Sequence, residues 1–226
     1  MNAGQLESVF RELAGDKEGG DDGESFAVSK LLFLAFLNEA EQEAAIRKNL
    51  LFDNYSEHCL IELQDGLSVY AVDSSVYAIT HAVVANADDS EPAPLFITDR
   101  LELDSIDRDW RGRSGRPEYL IQHDTFLEFA PRPDADYAVT LEAYVLPRTP
   151  MAADDDEPEI HSSHHLKLVD WVLYRAFSIP DIDLTDSNRA GHYLQRFDHY
   201  FGRRPDGNRR RNQYANRPQH NRVSPL

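Results

Sequence analysis

The chain has 226 residues and carries 40 acidic against 23 basic side chains, a formal net charge of −17. At 41% hydrophobic residues it can bury a core, as one domain or two small ones. The acidic total argues against a broad basic nucleic-acid face and against binding to anionic membranes, and the single cysteine, Cys59, allows no internal disulfide.

Residues 1–25 are polar and glycine-rich and do not read as a secretory signal. The longest apolar run, Leu31 to Leu37, is far below the roughly 20 residues that span a bilayer, so a soluble protein is expected. Leu6, Val9, Phe10 and Leu13 predict an amphipathic helix over Gln5–Ala14. Gly15 to Glu24 reads as a solvated loop; Asp21, Asp22 and Glu24 lack the alternation of a calcium-binding loop. A longer helix is predicted from Ser25, as its cap, to about Asp53. Its first half is apolar nearly all round, whereas Asn38 to Asn49 is mostly polar and should leave one face to water or a neighbour.

From Glu57 to Leu146 the apolar period changes to two. Cys59, Ile61 and Leu63, then Leu67, Val69 and Ala71 across Asp65-Gly66, predict a hairpin. Further strands are predicted at Val76–Ala85, Leu95–Leu103, Glu118–Gln122, Thr125–Phe129 and Tyr137–Leu146, with Trp110–Pro117 as a turn-rich connector. Six or seven mostly antiparallel strands result. Pro147, Pro150 and the acids Asp154 to Glu157 suggest a linker. Helical period returns at Ser163, with Leu166, Val169, Leu173, Ala176 and Phe177 on one stripe, until Ile179-Pro180 ends it. A last helix over Ser187–Phe201 presents Ala190, Tyr193, Leu194, Phe197, Tyr200 and Phe201, with Gly202 placed as its C-cap.

The expected class is α+β. Two N-terminal and two C-terminal helices (1–55 and 160–202) form one discontinuous bundle with an antiparallel β domain (56–150) inserted, an acidic linker at 151–159, and an extended arm at 203–226. The arm contains seven arginines and one acid, a net +6, which leaves −23 on the first 202 residues. Three prolines and few large apolar groups give it too little to bury, so alone it should be disordered, either a solubilising or frayed terminus or an arm that orders on a partner.

Catalytic patterns are weak. His161, His164 and His165 suggest zinc or nickel, but their spacing matches no standard ligand set and a polar helix start fits better. A hydrolase using that cluster with nearby acids is the third-ranked function. Cys59 reads as a small buried hydrophobe, His123-Asp124 as a strand connector, and Asp170 equally as a paired or capping carboxylate or as a functional one. Gly112 and Gly115 are turn residues, and no phosphate-binding loop or nucleophile elbow occurs. No cofactor, metal or catalytic residue is expected. The basic residues are 19 arginines and four lysines, a bias suited to interfaces.

Three segments define a resemblance when taken in order. They are Leu37 to Arg47 (LNEAEQEAAIR); Arg116 to Ile121 (RPEYLI) with Phe126 to Pro133 and Tyr137 to Tyr144; and Leu168 to Phe177 (LVDWVLYRAF) with Arg189-Ala190 and Tyr193 to Phe197. Their order resembles the head–tail connector, or adaptor, proteins of tailed bacteriophages, short-tailed ones in particular, over most of residues 25–202. The resemblance implies a non-enzymatic virion protein of the neck, made in the host cytoplasm. It implies a ring, usually twelvefold, between the portal protein and the tail nozzle or fibres, with DNA passing through its channel. It also implies that the C-terminal arm reaches the portal, which makes Arg203, Arg204, Arg209, Arg210, Arg211, Tyr214, Arg217, Arg222 and Leu226 the candidate docking residues. The runner-up function is nucleic-acid binding through the same arginines, which salt should abolish.

Overall fold

A computed structural model describes residues 1–16, 26–86, 91–180 and 184–205. Ser25, the acids Asp21, Asp22 and Glu24, and most of the arm lie outside these residues. Two compact units result, one of Met1–Phe52 with Tyr144–Arg204, the other built from Asp53–Ala143. The α+β class is what the chain adopts.

The first unit holds four long helices. Helix α1 spans Ala3–Ala14 and begins two residues before the predicted start, because Asn2 and Gln5 form a reciprocal capping box. Gly15 closes it in the left-handed region (φ 75°). Asp16, expected in solvent, is buried instead: it pairs with Arg11 and accepts the amides of Ala27 and Val28. Helix α2 spans Lys30–Lys48, shorter than predicted at both ends. Ser29 provides the N-cap by accepting from the Leu32 amide, and Asn49 turns left-handed (φ 52°) to stop the helix.

Helix α4, His165–Phe177, follows a short 3₁₀ turn at Ser162–His164, and α5 covers Ser187–Phe201 as predicted. (Helix α3, Arg100–Ile106, belongs to the second unit.) Leu166 does not lie on the buried stripe of α4: it is half exposed, and Leu168 takes the inward position with Val169, Val172 and Leu173. Apolar side chains from all four helices share one core around Phe10, Phe33, Leu37, Phe177, Phe197 and Phe201. Residues 151–160 are part of this unit, with Met151 and Ile160 in its core.

The second unit is a pair of sheets. One has the order β1-β9-β4-β5, from Phe52–Asp53, Tyr137–Val145, Val76–Asn86 and Ala93–Pro94, with β2 (Leu60–Leu63) also on β9. The other has the order β3-β8-β7-β6, from Val69–Ala71, Phe126–Ala130, Tyr119–Gln122 and Phe96–Thr98. Of the pairings with a defined register, only β6–β7 is parallel.

The predicted Cys59–Ala71 hairpin is not formed. A turn does occur at Gly66 (φ 76°), but its amide bonds to Pro133 O rather than closing a ladder. The turn sends β2 to β9 and β3 to β8, in different sheets. The predicted strand Leu95–Leu103 stops at Thr98, because Asp99 accepts the Glu102 amide and nucleates helix α3, Arg100–Ile106. Leu103 then packs with Trp110, Ile121 and Ala130.

Candidate docking surface

The polar half of α2 is where the bundle is tied together. Asn38, Glu39, Glu41, Glu43 and Arg47 of its Leu37–Arg47 motif each reach another segment of the chain. Asn38 clamps the Met151 backbone from both sides, accepting its N–H at 2.8 Å and donating to its carbonyl at 3.0 Å. Glu39 pairs with Arg175 at 3.2 Å. Glu41, 1% exposed, accepts the Ile160 amide at 3.1 Å. Burial pushes its carboxyl up to about 7, against the pull of the Ile160 and Glu159 amides.

One turn further, Arg47 organises the exit of α5. Its side chain is 6% exposed and pairs with Glu43 at 3.0 Å and Asp198 at 2.5 Å, while donating to the Gly202 carbonyl at 3.0 Å. Its guanidinium also stands over Trp171 and Phe197, 5.1 and 5.0 Å from the ring centres. Glu43 then uses its second oxygen to hold Arg204 at 2.6 Å. The arm is therefore fixed at its root: Gly202 ends α5, Arg203 projects exposed, and Arg204 is drawn back to α2. Of the candidate docking residues, Arg209, Arg210, Arg211, Tyr214, Arg217, Arg222 and Leu226 lie outside the described residues.

Beside this root, α4 and α5 enclose an open cleft of about 280 Å³, lined by Lys167, Asp170, His192, Gln195, Arg196, His199 and Tyr200. Asp170 sits at its floor, buried, with Arg196 3.1 Å away. Burial raises the Asp170 carboxyl above the usual range, and Arg196, Lys167 and His192 oppose that rise. Asp170 is thus a paired carboxylate. Sequence inspection missed the cleft because α5 was read for its apolar face alone; the spacing of Arg189, His192, Arg196 and His199 was the available signal.

The residues considered for catalysis are structural in their contacts. His165 is buried, its Nε2 2.8 Å from the Ile160 carbonyl and its Nδ1 2.9 Å from the chain's first residue. His164 faces the Tyr200 hydroxyl at 3.1 Å, and His161 faces Ser163 at 2.8 Å. The three histidines do not converge, and no group of three or more His, Cys, Asp or Glu among the described residues could hold a metal. Cys59 is buried with its thiol toward the Asp53 carbonyl. His123 stacks on Phe126 and meets Glu128 at 3.3 Å. No helix among the described residues is long and apolar enough to cross a membrane.

A tightly tied helical unit and a basic segment anchored at its root are the features of an assembly protein. The comparison with protein families gives the class: the model of the SU10 adaptor protein family matches residues 1–222, and the chain belongs to that family. It is a structural head–tail adaptor of a bacteriophage, placed in the virion neck and interacting with portal and tail components. Short-tailed morphology is consistent with the family's name. No curated protein matches the chain.

Proposed function

We propose that the protein forms a ring, of twelve copies, that docks on the portal through residues 203–226 and carries the tail nozzle or fibres on its far side. The domain plan proposed with it is the helical bundle with an inserted β domain. The charge division carries the reading: +6 on the arm against −23 on the body. A wall of acidic bodies repels phosphate, so the genome slides through the channel instead of adhering to it. The basic arm orders as it covers an acidic portal surface, and arginine's planar fork suits such contacts.

The fixed root at Arg47–Glu43–Arg204 supports this assignment, since it launches the arm from a defined point beside α5. Deleting residues 206–226 keeps that root intact, so a change in binding reports the arm and not unfolding. The full chain should bind its purified portal, and the truncated chain should bind at least ~100-fold more weakly, in line with loss of several charged contacts. Equal binding by the two chains refutes docking through the arm.

A further inference from the structure

On the exposed side of α5, Arg189, His192, Arg196 and His199 recur at intervals of three, four and three residues. At about 100° per residue they share a face about 80° wide and ~15 Å long. Arg203 stands exposed just beyond the helix cap, and Lys167 of α4 lines the same cleft as three of the four. The nearby acids are already engaged, Asp186 as the N-cap of α5. Asp170 is buried against Arg196, and Asp198 is turned to Arg47. Arg189 also lies over Phe177 and donates to the Leu13 carbonyl.

The same unit carries a surface of opposite sign. Residues 152–159 hold five acids and no base. This loop is rigidly built: Asp156 accepts the Ala152 and Ala153 amides at 2.7 Å, and the Asp154 and Asp156 carbonyls receive the first amides of α1. Lys30 and the N-terminal amine offset part of the charge at Asp154 and Glu157, whose side chains remain 59% and 62% exposed. The loop joins α1 and α2 at their N-terminal ends, whereas α5 packs on α4, so the two charged surfaces are separate.

We infer that the basic face of α5 receives the acidic 152–159 loop of a second copy of this chain, forming a head-to-tail contact between ring neighbours. The inference rests on the ring reading above and adds its interface. Copies that each carry −17 repel one another. A contact joining two different, oppositely charged patches overcomes that repulsion locally, and repeating it generates a closed ring. Duplex DNA is the less suited occupant, because the basic face is short, encloses Asp170, and sits on a body of −23.

Native mass spectrometry of the full chain titrated onto its purified portal tests the contact. A ring with neighbour contacts fills cooperatively, giving empty and complete portals with few partial ones. Reversing the basic face (His192→Glu and His199→Glu together) or the loop (Asp155→Lys with Glu157→Lys) should yield partly filled portals, with filling concentration raised about 100-fold. Combining the two sets restores opposite charges in swapped positions and should recover cooperative filling to within about tenfold. Rescue separates a specific contact from a folding defect. Variants that fill like the wild type, or a combination no better than either set, overturn the inference while leaving the ring standing. Statistical filling by the wild-type chain overturns it also, as does a duplex-DNA shift that depends on the basic face while self-association does not. A wild-type chain that never occupies the portal removes the ring reading itself.

Discussion

Glu41 makes the folded protein sensitive to pH in a direction opposite to most carboxylates. Its side chain is 1% exposed, and its carboxyl is raised from an ordinary 4.5 to about 7. The folded state therefore holds this proton more tightly than the unfolded chain does. Stability from this site is fully present below about pH 4.5 and falls as pH rises through about 7. At about 1.4 kcal/mol per pH unit, the total cost of ionising Glu41 in place is on the order of 3 kcal/mol. Between pH 5.5 and 8 the linkage gives a loss of roughly 2 kcal/mol. Glu41→Gln keeps a carbonyl oxygen for the Ile160 amide but has nothing to ionise. Urea unfolding followed by circular dichroism at pH 5.5, 6.5 and 8 should show the wild type losing about 2 kcal/mol more than the variant across that range. Every other titrating group is common to both proteins, so the difference isolates this one. Parallel pH dependences, within about 0.5 kcal/mol, would refute the assignment of a buried, protonatable Glu41.

Two further substitutions probe the ties around α2. Arg47→Met should lower unfolding free energy by about 3–4 kcal/mol, because Glu43 and Asp198 lose a buried countercharge; denaturant titration reads it, and a loss under about 1 kcal/mol would contradict the network. Asn38→Leu removes both bonds to the Met151 backbone and should cost about 2–3 kcal/mol, with faster amide exchange around Met151 as its local signature.

Much of the helical architecture was legible because helix signals are local. The period of α5 and the glycine behind it gave both ends of that helix correctly. Helix α2 is shorter than the pattern predicts because Ser29 accepts the first-turn amide and Asn49 stops the helix without a glycine. The β region misled where pairing is non-local. The alternation across Asp65-Gly66 is genuine, yet whether a turn closes a hairpin or passes the chain to another sheet depends on β8 and β9, more than 50 residues away. Leu101 and Leu103 continued the strand alternation by accident, and only Asp99 with Glu102 betrayed a helix start.

The candidate docking surface was half visible. Arginine density exposed the arm, and the α2 motif stood out as a string of polar residues. Its chemistry was hidden, since Asn38, Glu41, Glu43 and Arg47 act on segments 113 to 161 residues distant. The basic face of α5 is written in the sequence at helical spacing, beside the stronger apolar stripe of the same helix.

If this acidic adaptor closes a ring on the portal by its basic arm, the copy number of the complex reports it. Native mass measurement of the portal mixed with excess full-length chain should give twelve adaptor copies per complex, and none at the same concentration after deletion of residues 206–226. A complex with one or a few loosely bound copies, or a full ring formed without the arm, would contradict the account.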